Sequence, residues 1–294
     1  MTGPDPARRV GSVCGVPAVA ARPVAGGDIC DAYRVELADG DVVFVKTLAG
    51  APADFFAAEA AGLELLRATD TVPVPRVLAA TADLLALEWI EPAAPSAAQA
   101  ERLGRELAAL HATPAPHYGG RGPLYLGPLR LGGPQSPATA PADWPAFHAE
   151  HRLLPALRLA VDNGGIAAAD RRAVETLCER LAEVAGPPQP PAVIHGDLWS
   201  GNVLWTAGER AHLIDPAAQG GHPEVDLALL EGFGCPHFDR LIAAYQEVRP
   251  LPGRAARAPL HLLHPMLVHA ALFGGGYGAR SGALARAALR SGGG

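Results

Sequence analysis

Lysine is almost absent from this chain. Lysine and arginine together number 24 in 294 residues, yet Lys46 is the single lysine in the sequence. A compact ammonium on a flexible stem and a planar guanidinium make different contacts, so arginine does not replace lysine where the geometry of a contact matters. Lys46 ends the apolar segment 42–46, which predicts a β-strand. Lys46 is therefore a candidate functional residue, and the chance survival of one lysine is the alternative.

Cysteine is also scarce. Cys14, Cys30, Cys178 and Cys235 are scattered, without the paired spacing of a zinc site or a disulfide framework. We therefore expect free thiols and a reducing, cytoplasmic location. The first nine residues lack the apolar core of a signal peptide, which agrees with this expectation.

Long uninterrupted apolar runs and an excess of basic residues are missing as well. The segment 259–277 is apolar overall, but histidines, prolines and three consecutive glycines interrupt it, which favours a buried helix over a membrane span. The net charge of −6 argues against a nucleic-acid-binding protein, which would carry a basic face. With 49% hydrophobic and 18% charged residues, the chain can bury a core.

Two polar segments carry the chemistry that is present. Residues 194–202 read Ile-His-Gly-Asp-Leu-Trp-Ser-Gly-Asn, and residues 213–216 read Leu-Ile-Asp-Pro. This order is typical of phosphoryl transfer from a nucleotide: Asp197 would accept the proton of an attacking hydroxyl, and Asn202 and Asp215 would bind Mg²⁺. Magnesium takes oxygen ligands and keeps several waters, which suits one amide and one carboxylate. Two solvated loops rich in turn-forming residues are the alternative.

Three further features fit the same chemistry. In kinases a strand lysine like Lys46 contacts the phosphates of ATP, and a glutamate from the next helix orients it; Glu59 lies in a helix predicted over about 53–68. An exposed helical glutamate is the alternative. Gly26 and Gly27 lie in the turn between the first two predicted strands, where backbone N–H groups can approach phosphate oxygens. A plain turn explains these glycines equally well.

The pattern of elements indicates the fold class. Strands are predicted over 19–23, 32–37, 42–46, 77–80 and 84–89, and helices predominate from Ser96, which forms a predicted capping box with Gln99. We therefore predict an α+β, two-lobed protein-kinase-like fold, with a small, mostly antiparallel β N-lobe that carries one key helix and a larger helical C-lobe. The predicted lobes are residues 1–90 and 91–294, with the nucleotide in the cleft between them.

The end of the last predicted strand is the expected hinge between these lobes. The backbone groups of Glu88, Trp89 and Ile90 would bind the adenine edge there, so their side chains are poorly constrained. A strand end followed by an ordinary turn predicts the same local structure.

The whole chain resembles the fructosamine kinase (ketosamine kinase) family. Segment 195–204, with its Asp-Leu-Trp-Ser-Gly-Asn core, and the Asp-Pro-Ala of 215–217 are specific in combination, although either alone would also suggest aminoglycoside or choline kinases. Further similar segments run through the chain, at 44–46, 59–63, 87–88, 103–111, 151–153, 224–228 and 272–277.

The resemblance implies ATP- and Mg²⁺-dependent phosphorylation of the 3-hydroxyl of ketosamines, on small molecules or glycated proteins, followed by release of the amine. It implies that Asp197 is the catalytic base and that Asp226 is structural, accepting backbone N–H bonds from the catalytic loop. Trp199, beside the catalytic Asp, could pack on the sugar chain, or it could belong to the core. Cys30 matches a family cysteine and could be a redox-sensitive thiol that links two chains; otherwise it is a small buried hydrophobe and the protein is a monomer.

Two other functions are weighed against this one. A kinase of the same fold acting on an aminoglycoside, choline or a similar alcohol would usually differ at Trp199 and at the Asp215-Pro216 pair. A pseudokinase serving as a binding module would have lost the lysine, the aspartate or the asparagine, and all are present. Histidines such as His111, His117, His148 and His151 show no metal-ligand spacing and are expected to have ordinary surface or helix-packing roles.

Overall fold

The computed structural model describes residues 6–24, 29–134 and 136–291. In these residues a β-rich first part precedes a mostly helical remainder, so the α+β prediction is correct. Five antiparallel strands form one sheet with the spatial order β1-β2-β3-β5-β4. They are β1 (Ala18–Pro23), β2 (Asp31–Leu37), β3 (Val42–Thr47), β4 (Val77–Ala80) and β5 (Leu84–Glu88).

One face of this sheet is covered by a helix that the sequence did not predict. Helix α1 (Pro6–Cys14) places Val10 in an apolar cluster with the outward side chains of β2 and β3, including Val35, Val43 and Val45. We predicted strands alone before residue 53, because α1 is short and has no acidic residue in its first turn. Its formation depends on burying Val10 against the sheet rather than on intrinsic helix propensity.

The opposite face of the sheet packs on α2 (Phe55–Arg67), the helix that carries Glu59. Phe56, Leu63 and Leu66 are fully buried there, which is the helical spacing that predicted the element. Asp54 at the start of α2 accepts hydrogen bonds from the Tyr125 hydroxyl and the Arg130 guanidinium. These two residues belong to a small hairpin, β6 (Tyr125–Leu126) and β7 (Leu129–Arg130), so α2 is tied to a segment that follows the five-stranded sheet in the chain.

Helices form most of the remainder. Ser96 caps α3 by accepting the Gln99 N–H, but the Gln99 amide donates to Thr206 and Gly208 carbonyls, so only half of the predicted capping box forms. A π-helical turn (Ala149–Leu153) joins α4 to α5. The helices are α3 (Ala97–Leu110), α4 (Trp144–His148), α5 (Leu154–Asp162), α6 (Ala168–Glu179), α7 (Leu181–Val184), α8 (Glu224–Gly232), α9 (Phe238–Val248), α10 (Arg254–Phe273) and α11 (Tyr277–Ser291). None of the described helices combines the length and the apolar character that crossing a bilayer requires.

Two short antiparallel strand pairs position the polar segments of the second half. Strand β9 (Val203–Leu204) pairs with β10 (His212–Leu213) in an antiparallel hairpin. Strand β8 (Ala192–Ile194) pairs with β11 (Gln219–Gly221), a pairing that the sequence did not predict because β11 is a three-residue, glycine-rich strand. Residues 195–202 connect β8 to β9, and residues 214–218 connect β10 to β11. Both segments therefore run between the same two strand pairs and lie next to each other.

Candidate active site

The single lysine lies between two carboxylates. The Lys46 ammonium is 2.9 Å from Glu59 Oε1 and 2.6 Å from Asp215 Oδ1. Only 9% of the Lys46 side chain and 13% of the Glu59 side chain are exposed, whereas 33% of the Asp215 side chain is. Burial lowers the pKa of Lys46, but the two carboxylates raise it by more, so the ammonium keeps its charge.

The position of Lys46 follows from strand alternation. Val43 and Val45 point to the cluster under α1, so Phe44 and Lys46 point to the other face, toward α2. Burial raises the pKa of Glu59, and Lys46 opposes this effect by providing a positive partner. The strand, the helix and the segment that contains Asp215 thus contribute one charged group each to a single contact.

Asp226 organises the loop that leads to Asp197. Its carboxylate accepts the backbone N–H of His195 at 2.7 Å and that of Gly196 at 2.9 Å, and a ring nitrogen of His111 lies 3.1 Å away. Asp226 is fully buried, which would raise its pKa, but the hydrogen bonds from His111 and the backbone lower it overall. His111 also contacts the Tyr245 hydroxyl. His111 is therefore more than the helix-packing residue we expected, since it fixes an ionised carboxylate under the loop.

Only glycine fits at position 196, because the loop leaves no space for a side chain there. Its φ is +83°, and a Cβ there would lie 2.2 Å from the Ala217 carbonyl oxygen. The loop is thereby pressed against the segment that follows Asp215. His195 strengthens this contact, because its Nε2 donates to the Ile214 carbonyl and its Nδ1 accepts the N–H of Asp197. His195 is buried, and burial lowers its pKa, so the ring is neutral.

Asn202 and Asp197 are in direct contact. The Asn202 amide nitrogen donates to the Asp197 carbonyl at 2.8 Å and lies 3.4 Å from the Asp197 carboxylate. The backbone N–H of Ile214 in turn donates to the Asn202 carbonyl. The Asn202 side chain therefore holds the backbone at Asp197, and the Asn202 backbone holds the residue before Asp215, so the three residues lie together.

The electrostatic balance of this group favours a cation. Burial raises the pKa of Asp197 to about 8, and the carboxylates of Asp215 and Asp226 add to the effect. Lys46 supplies one positive charge against the carboxylates of Glu59 and Asp215, so this contact holds surplus negative charge. Within the described part of the chain, no hydrogen bond to the Asn202 side-chain oxygen is formed. An amide oxygen, a carboxylate and a surplus of negative charge suit Mg²⁺, with water and phosphate oxygens as its other ligands.

The chain is similar in sequence to a known enzyme family. The sequence profile of the family described as fructosamine kinase matches residues 11–291. The chain belongs to the fructosamine kinase family. The profile covers both polar segments, Lys46 and the helices that follow, so the relationship extends across the site described above.

Relatives of this fructosamine kinase family member agree with the profile. A probable ketoamine kinase of Synechocystis sp. is 36% identical over 279 residues, which is 92% of this chain and 90% of the relative. A protein-ribulosamine 3-kinase of Arabidopsis thaliana is 32% identical over 255 residues, or 84% of this chain and 75% of the relative. The crystal structure of a proposed fructosamine-3-kinase from Thermobifida fusca is 46% identical, with a TM-score of 0.90 over 97% of this chain and 99% of that one.

A more distant structure supports the fold alone. An ADP-bound aminoglycoside phosphotransferase is 15% identical with a TM-score of 0.62, over 90% of this chain and 89% of that one. The fold is therefore the one that aminoglycoside phosphotransferases and protein kinases share, as the sequence predicted.

Of the remaining residues predicted to bind the nucleotide, the structure describes those of the expected hinge. Strand β5 ends at Glu88, whose carboxylate accepts the Arg76 N–H, and Trp89 stands beside Phe44 with its ring centroid 6.4 Å away. The predicted hinge of Glu88, Trp89 and Ile90 therefore follows the sheet directly. Gly26 and Gly27 lie outside the described residues.

Trp199 is not a core residue, which was one of the two expectations for it. Its side chain is 40% exposed, and the indole lies across Gly201, where a Cβ would come 2.2 Å from the ring. The backbone N–H of Trp199 donates to the Asp197 carbonyl. The indole, two residues after Asp197 in the chain, is thus an exposed flat surface that lies over Gly201.

Cys30 lies near the lysine, beside the start of β2, and is only half buried. Burial raises the pKa of its thiol to about 11; Lys46 opposes this shift, while Glu59 and Asp215 add to it. A thiol with so high a pKa contains little of the thiolate that reacts with oxidants or disulfides.

A buried polar cluster behind Gly196 was not predicted. His148, Arg152, His222 and His264 line a cavity of about 30 Å³ that Gly196 also borders. Arg152 donates to the Gln219 side chain and to the Gly132 carbonyl. Burial lowers the pKa of His148, His222 and His264, so these rings are neutral. His148 and Arg152 lie one turn apart where α4 meets the π-helical turn, but His222 follows β11 and His264 belongs to α10, so no local motif joins all four.

Proposed function

We propose that this protein transfers the γ-phosphate of ATP to the 3-hydroxyl of a ketosamine of the fructosamine or ribulosamine type. The observation that carries the proposal is the convergence of Lys46, Glu59, Asp197, Asn202 and Asp215 in a member of the fructosamine kinase family. The phosphorylated sugar is unstable and releases the amine, so the outcome would be deglycation of small amines or proteins in the cytoplasm.

The roles of the residues follow from their contacts. Asp197, with its pKa raised toward neutrality by burial, would accept the proton of the attacking sugar hydroxyl. Lys46 would contact the α- and β-phosphates, with Glu59 fixing its direction. The Asp226 carboxylate would hold the loop so that Asp197 keeps its position when the acceptor binds.

Asn202 and Asp215 would hold Mg²⁺. When bound, the ion supplies positive charge that offsets the charge on the phosphates during transfer. Asp215 contacts Lys46 through Oδ1, so its two carboxylate oxygens would serve the ammonium and the metal respectively. The residues before about 90 would form the nucleotide-binding lobe, with Glu88, Trp89 and Ile90 and the glycines Gly26 and Gly27 contacting ATP, and residues 91–294 would form the catalytic and acceptor lobe.

An acceptor panel tests the proposal. ADP release from Mg-ATP should be measured with fructosamine, ribulosamine, an aminoglycoside and choline, and the phosphorylated product should be identified by ³¹P NMR. We expect turnover with at least one ketosamine and a phosphate on its 3-hydroxyl. Turnover with the aminoglycoside or choline alone would contradict the proposal.

A further inference from the structure

Five rings form a continuous surface that begins beside Asp197. We call this the aromatic strip: Trp199, Phe233, His269, Phe273 and Tyr277. The ring centroids lie 6.2 Å apart for Trp199 and Phe233, 6.1 Å for Phe233 and His269, and 5.6 Å for His269 and Phe273. Tyr277 contacts both His269 and Phe273. Each spacing lies within the range in which aromatic rings interact.

The strip holds an unusual share of the exposed apolar surface. Seven large hydrophobic side chains are exposed among the described residues; Trp199 and Phe273 of the strip are two of them, and Leu272, next to Phe273 in the chain, is a third. Phe273 is 63% exposed. Exposed aromatic residues that are contiguous, rather than scattered, mark binding surfaces.

Hydrogen bonds connect the strip to the catalytic loop and hold its rings in place. The Ser200 hydroxyl donates to the Phe233 carbonyl at 2.8 Å, which ties the loop to the end of α8. His269 Nδ1 donates to the Pro265 carbonyl, which fixes the ring between its neighbours. Gly274 and Gly275, with φ of +64° and +62°, turn the chain sharply after Phe273 and bring Tyr277 back to it. A rigid apolar surface loses little conformational entropy when a ligand covers it.

We propose that the aromatic strip binds the amine-derived substituent of the ketosamine and so selects small ketosamines with bulky apolar or aromatic amines. The inference rests on the proposed function. In a ketosamine the protonated amine lies a few bonds from the 3-hydroxyl, so with that hydroxyl at Asp197 the ammonium comes close to Trp199. An ammonium over an indole face is stabilised by cation–π attraction. The substituent then continues over Phe233 and His269 toward Phe273.

The size of the strip favours a small substituent over a protein surface. Stable protein interfaces use about 20–30 residues on each side. The strip and Leu272 amount to six side chains, which is enough for one or two aromatic groups. The preferred acceptor is therefore a glycated small molecule, and a folded glycated protein or a second copy of this chain are the competing occupants.

Three fructosamines with N-methyl, N-benzyl and N-(biphenylmethyl) substituents test the inference. With wild-type protein we expect kcat/KM to rise along this series, by about tenfold in total, because each ring adds an aromatic contact. Phe273→Ser should remove the gain between the benzyl and biphenylmethyl compounds and leave the N-methyl compound unchanged. Val248→Ser is the matched control, since Val248 is an exposed apolar residue of α9 outside the strip, and it should reproduce the wild-type series.

Four results would overturn the inference. One is equal kcat/KM for all three compounds in the wild type, and a second is a Phe273→Ser series identical to the wild-type series. A third is conversion of a dimer to a monomer by Phe273→Ser, in size-exclusion chromatography, with an unchanged series, because a second copy would then be the occupant. The fourth is higher kcat/KM for a glycated folded protein than for every small compound. Failure to phosphorylate any of the three fructosamines would instead overturn the proposed function, and the inference with it.

Discussion

Lys46 and Asp215 lie 169 residues apart in the chain, and their charged groups are 2.6 Å apart in the structure. The first lies near the end of a strand of the five-stranded sheet, and the second follows a two-residue strand of the helical half. Their contact joins the two halves of the molecule at the point where Asp197 and Asn202 also lie. The single lysine of the chain therefore lies where it contacts two carboxylates, those of Glu59 and Asp215.

Replacing Lys46 by Arg should greatly impair catalysis although the charge is retained. A guanidinium is wider than an ammonium and cannot lie between Glu59 and Asp215 at the same distances. We expect kcat/KM for Mg-ATP to fall by about 100-fold, equivalent to about 2.7 kcal/mol of transition-state stabilisation. Steady-state kinetics with a fructosamine acceptor would measure the loss.

The control for this change is Arg105→Lys. Arg105 forms an exposed ion pair with Glu247 on helices remote from the site, and exposed pairs contribute little. The control should keep wild-type kinetics. If Lys46→Arg were as active as Arg105→Lys, the functional importance of the single lysine would be disproved.

Asp215→Asn should separate the charge of Asp215 from its backbone conformation. Asp215 has φ of +56°, a left-handed conformation that asparagine tolerates better than most residues. The variant should fold, yet lose the carboxylate that pairs with Lys46 and is proposed to bind Mg²⁺. We expect the Mg²⁺ dependence of ATP affinity, measured by titration with and without EDTA, to weaken by about tenfold or more. An unchanged dependence would exclude Asp215 as a metal ligand.

The buried histidines behind Gly196 should make stability depend on pH. Burial, assisted by Arg152, lowers the pKa of His264 to about 3, against 6.5 for a solvent-exposed histidine in the unfolded chain. The unfolded state therefore binds protons first as the pH falls. The contribution of His264 is complete above about pH 6.5, and it decreases by about 1.4 kcal/mol per pH unit between the unfolded and folded pKa values.

Urea unfolding at pH 7, 6 and 5 would test this linkage. The free energy of unfolding of the wild type should fall across this range. The free energy of unfolding of His264→Gln should fall less steeply with decreasing pH, because one fewer proton is bound on unfolding. His148 and His222 continue to contribute to the remaining slope. Parallel curves for the two proteins would show that His264 titrates normally in the folded state.

Cys30 should react slowly with alkylating reagents. With its pKa raised to about 11, about one thiol in a thousand is ionised at pH 8. Peptide mapping after iodoacetamide treatment should find Cys30 labelled far more slowly in the folded protein than in urea, and non-reducing gels should show no oxidised dimer. A dimer that forms in the wild type and is absent in Cys30→Ala would instead establish the redox-linked homodimer.

The sequence predicted most of the sheet because its signals are local. The Asp39-Gly40 turn fixes the β2–β3 hairpin, and the predicted strands agree with the observed ones to within one residue at either end. The spacing from Asp197 to Asn202 likewise fixes a short loop, so these two residues had to be neighbours. Helix α2 was predictable from the spacing of its buried residues, Phe56, Leu63 and Leu66.

Long-range contacts between residues that lie in no recognisable local motif could not be predicted from the sequence. His111 and Asp226 are 115 residues apart, and nothing near either residue indicates their hydrogen bond. Strand β11 contains two glycines and gains its structure only by pairing with β8. Helix α1 depends in the same way on the sheet that it covers. The contact of Lys46 with Glu59 was expected only because the kinase pattern supplied the partner.

Comparing Asp197→Ala with the wild type tests the central claim most directly. Nucleotide affinity, measured by calorimetry with Mg-ATP, and the rate of phosphate transfer to a fructosamine should be determined on the same preparations. We expect the affinity to stay within about threefold of wild type, since Lys46, Asn202 and Asp215 remain, and the rate to fall by about 1,000-fold or more. A variant that still transfers phosphate at a rate near that of the wild type would contradict the assignment of Asp197 as the base, and with it the account given for this site.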